Sequence, residues 1–146
     1  MTAGALFACK KLRRLRLCLI CSPLLCLAAG AGSVWDGAYT KGQSARGKGV
    51  YLEECAKCHG ENLAGGEGAP PLVGKDFIKS WYGKSAGDLL DRIIKTMPTD
   101  DPGSLSHRQY ADITAYILNQ NEFPAGAKDL DSSPAASKDI RIEEKK

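Results

Sequence analysis

Cys55-Ala56-Lys57-Cys58-His59 is the stretch that decides how the rest of this chain is read. Two thiols three positions apart, followed at once by an imidazole, form the attachment signature of a c-type haem. Each thiol can form a thioether to one vinyl group of the porphyrin, and the adjacent His is positioned to be the proximal ligand of the iron. Two other chemistries use paired cysteines. A zinc site wants a second pair of Cys or His ligands, and the only other such pair, Cys18 and Cys21, lies in a segment that reads as removable. A thioredoxin-like redox pair belongs near a βαβ pattern, and none is visible.

On the N-terminal side, Lys10, Lys11, Arg13, Arg14 and Arg16 form a basic region, followed by an apolar run from Leu17 to Leu27 and then small residues up to Gly32. That order is a secretory signal peptide over residues 1–31, with cleavage near Ala31, and it implies a periplasmic location. The alternative is an uncleaved membrane anchor, but the run is short against the ~20 apolar residues that a spanning helix needs. Leu25 rather than a small residue precedes Cys26, which is no lipoprotein setting. Cleavage takes away Cys9, Cys18, Cys21 and Cys26, so six cysteines become two, both in the haem motif. No disulfide is then expected, even in an oxidising compartment. Five of the twenty basic residues leave and no acidic residue does, so fifteen basic residues face seventeen acidic ones. The net charge of +3 thus belongs to the precursor and offers nothing for nucleic-acid binding.

About 115 residues remain, enough for one small domain over residues 32–127 with a modest core. A haem would supply much of the missing apolar volume. Residues 128–146 are rich in Ser, Ala, Asp, Glu and Lys and read as a mobile tail. Ile140 and Ile142 alternate with charge there, a pattern that would allow docking as one extended segment.

Helical periodicity dominates the domain. Gly47, Tyr51 and Cys55 fall four apart and share one face of a helix running from about Ser44 into the haem motif. A Gly inside a helix costs ~1 kcal/mol against Ala, so Gly47 suggests close approach of another backbone. From Gly60 to Gly74 five glycines with Pro70 and Pro71 make a long loop, able to wrap the His side of a haem. Leu89, Leu90, Ile93 and Ile94 form a helical stripe, with Ser85 as N-cap and Asp88 in the first turn. Ser106 caps a last helix that ends near Asn121 and Pro124, with Tyr110, Ile113, Tyr116 and Ile117 on its apolar face. No segment alternates as a strand. The fold class is all-α, with three or more helices.

The iron needs a sixth partner or an open position. Met97 lies thirty-eight residues after His59. It could simply continue the apolar stripe, but Pro98 disfavours helical geometry at Met97 and stops the helix there. A thioether on a proline-stiffened loop suits a ligand. His107, beside the cap Ser106, reads as a solvated first-turn residue. A ligating His almost always donates its second N–H to a carbonyl or carboxylate, and the carbonyl of Pro71 is the expected acceptor from His59.

These residues resemble the class I c-type cytochromes, small single-haem electron carriers. The resemblance runs from about Gln43 to Asn121 and rests on the haem motif, on Pro71-Leu72-Val73-Gly74, and on Met97-Pro98. It implies a small cytochrome c fold with first and last helices crossing through Gly47 and Tyr51 against Ile113 and Tyr116. Residues 87–106, 110–118 and Phe123-Pro124-Ala125-Gly126 are further similar to periplasmic cytochromes that accompany quinoprotein alcohol dehydrogenases.

The implied function is one-electron transfer, not catalysis. One haem c would be held by Cys55 and Cys58 with His59 and Met97 as axial ligands, and Pro71 and Leu72 would complete the cofactor-binding set. Leu72, Ile93 and Ile94 are expected to bury the ring. Trp81 or Tyr82 is either a propionate partner or an aromatic core residue. Asp100 and Asp101 either form a solvated turn or bias an exposed edge toward a basic partner. The expected donor is a quinoprotein dehydrogenase and the acceptor a cytochrome or terminal oxidase, with membrane association only if residues 1–31 stay attached. The alternatives are a haem enzyme or gas sensor with an open iron, and a fixed haem subunit of a larger dehydrogenase complex.

Overall fold

The computed structural model describes residues 32–66 and 68–145, and the signal-peptide reading lies outside the described residues. Five α-helices are present among these: α1 Lys41–Glu54, α2 Ala56–His59, α3 Gly74–Trp81, α4 Ala86–Thr96 and α5 His107–Gln120. Single 3₁₀ turns occupy Val34–Asp36 and Pro134–Ser137, and among the described residues no β-strand is formed, only isolated bridges. The expected all-α class is therefore the observed one. None of the helices described is long and apolar enough to cross a membrane.

Local chemistry sets most helix ends. Thr40 caps α1 through a bond from the Gln43 amide to its Oγ1 (3.1 Å), so the helix starts three residues before Ser44. Ser85 and Asp88 form a reciprocal capping box at the start of α4, and Ser106 and Gln109 form another at α5. Helix α4 ends at Met97, which is extended (φ −129°, ψ 149°), as the following proline demands.

The stretch after the long loop is the exception, because α3 was not foreseen. Val73 offers no side-chain cap. The Gly74 amide instead donates to Oδ1 of Asn121 (3.0 Å), at the far end of α5. A cap delivered from forty-seven residues away leaves no local signature.

The core forms where α1 crosses α5. A Cβ on Gly47 would lie 1.8 Å from the carbonyl oxygen of Asp112, so only glycine lets the two backbones meet. Tyr51 and Tyr116 pack beside the crossing with ring centroids 5.3 Å apart. Asp112 is buried there, and its carboxylate takes a two-pronged bond from Arg46 (3.0 Å to each oxygen). Arg46 also reaches Asp129 at 2.8 Å, tying the crossing to the C-terminal segment.

That segment corrects an expectation. Residues 128–145 do not stand off as a mobile tail but strap the domain. Leu130, Ser137 and Ile142 are buried. The backbone of Leu130 bonds the Gln43 side chain at both ends (2.7 and 2.9 Å). Extended residues from Ile140 to Ile142 pair with the turn before α4, where Ala86 N donates to Ile140 O and Gly83 N to Ile142 O, each at 2.8 Å. Gly87 accepts the strap at close range, since a Cβ there would lie 2.2 Å from Pro134 O. Composition reads such a segment as solvated, yet two buried apolar side chains, Leu130 and Ile142, and a row of backbone hydrogen bonds suffice to dock it.

Candidate functional site

A cavity of about 460 Å³ lies between α1, α2, α4, α5 and the loop after His59. Cys55, Cys58, His59 and Met97 all line it, and so do Leu72, Trp81, Leu89, Ile93, Ile113 and Ile117. The local folding explains the convergence. Helix α1 breaks at Cys55, and the single turn α2 then carries Cys58 and His59 around to the cavity wall. Helix α4 contributes Leu89 and Ile93 one turn apart, and its end delivers Met97.

His59 is buried, and its Nδ1 lies 2.9 Å from the carbonyl oxygen of Pro70. A carbonyl only accepts, so Nδ1 carries a proton, and the neutral ring presents the lone pair of Nε2, the form in which imidazole binds a metal. The expected acceptor was Pro71, and the observed one is its neighbour. The loop folds back on itself, with Gly65 N donating to His59 O (2.9 Å), Gly66 pairing with Ala69, and Leu72 N donating to Leu63 O (2.8 Å). That internal pairing turns the Pro70 carbonyl toward the ring. Pro71 still lines the cavity. Tyr51 reinforces the turn by donating its hydroxyl to Gly60 O (2.7 Å), and burial raises the pKa of that hydroxyl.

Burial, helped by the neighbouring Glu54 carboxylate, pushes the Cys55 thiol up to about 11. Cys55 is therefore held as a protonated wall group of the cavity. Among the described residues no cluster of three or more His, Cys, Asp or Glu side chains is gathered for a bare metal ion.

The walls are fixed from outside. Asn121 Nδ2 donates to Leu72 O (2.9 Å), holding Leu72 against the cavity while the same side chain caps α3. The hydroxyl of Tyr110 donates to Met97 O at 2.8 Å. Lys57 and Asp100, 2.7 Å apart, span the cavity mouth from α2 to the loop after Met97. That contact lowers the Asp100 carboxyl pKa below its usual range and raises that of Lys57. Sequence reasoning did not assign the roles of Asn121, Tyr110 and Lys57; a polar residue at a helix terminus and a Tyr within an apolar stripe were the only signals.

The remaining candidates separate cleanly. Trp81 lines the cavity, while Tyr82 is 62% exposed and does not line it. Ile94 turns away from the cavity into a small second core with Leu90, Tyr110 and Ala111, so it does not bury the ring as expected. His107 is exposed and lines no part of the cavity. Asp100 is engaged by Lys57 and is not a free acidic patch. A wider, more open concavity of about 820 Å³ beside Trp35, Ile78, Tyr82 and Phe123 contains no thiol, imidazole or thioether.

The donor set fits haem c: two thiols, one oriented imidazole and one thioether around an apolar slot. The comparisons with known proteins agree. Residues 42–117 match the family described as cytochrome C oxidase, cbb3-type, subunit III. The thiosulfate dehydrogenase of Stutzerimonas stutzeri (strain A1501) is 35% identical over 95 residues, which are 61% of this chain and 31% of that protein. The chain thus spans about a third of the length of this curated relative. The crystal structure of the sulfane dehydrogenase SoxCD from Paracoccus pantotrophus superposes with a TM-score of 0.50 at 23% identity, covering 66% of this chain and 54% of that one, a likeness of fold alone. With a family match over more than half its length, laid on a helical fold and a cavity of this chemistry, the chain belongs to the c-type cytochromes of the cbb3-type subunit III family and is a haem-binding electron-transfer domain.

Proposed function

We propose that the domain is a one-electron carrier holding a single haem c, attached through Cys55 and Cys58 and ligated by His59 and Met97. One observation carries the reading: two thiols, an imidazole with its Nδ1 already engaged, and a thioether from a distant loop all line the same apolar cavity. When bound, the haem supplies a reversible one-electron iron couple. The residues of the chain determine how it is used. Pro70 holds His59 in the tautomer that presents Nε2. The soft sulfur of Met97 favours the reduced form. With both ligands in place no position is left for a substrate, so the domain itself transfers electrons without substrate chemistry. Leu72, Leu89, Ile93, Ile113 and Ile117 keep water out, which disfavours the more highly charged oxidised site. Trp81 is the aromatic available to a propionate.

The electrons come from a dehydrogenase and pass to a cytochrome or terminal oxidase, in the periplasm once residues 1–31 are removed. Two donor classes compete. The resemblance carried by residues 87–106, 110–118 and 123–126 favours a quinoprotein alcohol dehydrogenase. The name of the curated relative favours a dehydrogenase of a sulfur compound, and its greater length favours a fixed haem unit within such a protein. Stopped-flow reduction of the native protein by each class separates the donors, and size-exclusion of native extract separates a free carrier from a fixed subunit. The carrier reading itself requires the ferric protein to show the weak far-red band of Met sulfur. Absence of that band, with ready carbon monoxide binding to the reduced protein, would establish an open iron and overturn it.

A further inference from the structure

We infer that Tyr110 is a positioning residue for Met97, its hydroxyl fixing the backbone of the ligand so that the thioether resists displacement. The inference rests on the reading of Met97 as an iron ligand. Tyr110 lies one turn into α5 and is 1% exposed, packed with Leu90 and Ala111 in the small second core. Its hydroxyl donates to Met97 O at 2.8 Å and accepts from Leu105 N at 3.4 Å. The loop from Met97 to Leu105 therefore closes on one hydroxyl oxygen, bonded to its first residue and to its last. Gly103 N adds a longer contact to the same Met97 carbonyl (3.4 Å). Apolar packing alone would be met by phenylalanine, so the hydroxyl is present for the loop.

Two tethers thus act on this loop, and their settings rank them. The Lys57–Asp100 pair at the mouth is exposed on both sides and is screened by salt. The Tyr110 bond comes from a side chain only 1% exposed and joins two uncharged groups, so salt does not screen it. An external ligand that displaces Met97 must move the loop, breaking this bond and leaving buried groups unpaired. Removing the hydroxyl removes that resistance.

The test titrates the ferric holoprotein with imidazole, following loss of the far-red band at low and high salt. Tyr110→Phe is expected to bind imidazole roughly three- to tenfold more tightly than wild type, the worth of one buried hydrogen bond, with the same ratio at both salt concentrations. Tyr39→Phe is the control for a merely structural loss, because Tyr39 bonds Phe123 O (2.6 Å) away from the cavity, and it should leave imidazole affinity unchanged. Equal affinities in wild type and Tyr110→Phe, with the band present in both and lost in Met97→Ala, would overturn the role of Tyr110 while leaving the ligation intact. A band that survives in Met97→Ala overturns the ligation itself, and the inference falls with it. A second measurement needs no variant: in the wild type the Tyr110 hydroxyl proton should lose exchange protection when imidazole binds, and equal protection in both states also overturns the inference.

Discussion

At the scale of single residues, the site depends on which atom of each donor is already committed. His59 Nδ1 is taken by Pro70 O, so only Nε2 is free to bind a metal. Met97 has its carbonyl taken by Tyr110, and its side chain is left to the cavity. Replacing Met97 by Ala should therefore abolish the ferric far-red band, open the reduced protein to carbon monoxide and lower the reduction potential. Spectroscopy and a potentiometric titration check all three. Leu89, 1% exposed on the cavity wall, should cost about 2–4 kcal/mol when cut to Ala, as buried leucines generally do, measured by denaturant unfolding of the holoprotein.

Among the elements, the α1–α5 crossing and the cap of α3 carry the architecture. At Gly47 an added methyl meets backbone and not a side chain that could rotate away. Gly47→Ala should thus reach or exceed the upper end of the ~1–3 kcal/mol typical of overpacking, outweighing the ~1 kcal/mol that Ala gains in helix propensity. Thermal unfolding would show a drop of the order of 10 °C for a domain of this size. Asn121 holds both the first turn of α3 and the Leu72 wall. Asn121→Ala should lose about 1–2 kcal/mol and loosen the cavity together with α3, seen as parallel loss of amide-exchange protection at Gly74 and Leu72.

At the scale of the whole molecule, the strap closes the fold. Lys138 and the Ser85 groups hold the Asp88 carboxyl well below the usual carboxylate range, and Thr40 and Arg46 lower that of Asp129. Both carboxyls have folded-state values below their unfolded ones. Their stabilisation is fully present above the unfolded value of about 4 and is lost as pH falls below it. Acid unfolding should therefore steepen below about pH 4, and Asp88→Asn should flatten that dependence, as followed by circular dichroism against pH. Ile142→Ala discriminates strap from tail. A docked, fully buried Ile predicts a loss of about 2–4 kcal/mol, whereas a free tail predicts none.

The sequence by itself determined the helical class, the caps at Ser85 and Ser106, the stop at Met97-Pro98 and the glycine crossing at Gly47. Each of these is written within a few residues, in the period of apolar positions or in the stereochemistry of one side chain. It also singled out Cys55, Cys58, His59 and Met97, which the fold brings to one cavity, because the haem motif is contiguous and Met97 is marked by its proline. The tertiary structure decided the rest. The identity of the carbonyl that orients His59 depended on how a glycine-rich loop pairs with itself. Helix α3 depended on a cap from α5, Ile94 on which of two small cores it faces, and the strap on surface that exists only once α1 and α4 are assembled. These are contacts between residues far apart in the chain, and their free energy belongs to the assembled fold, which no local pattern encodes.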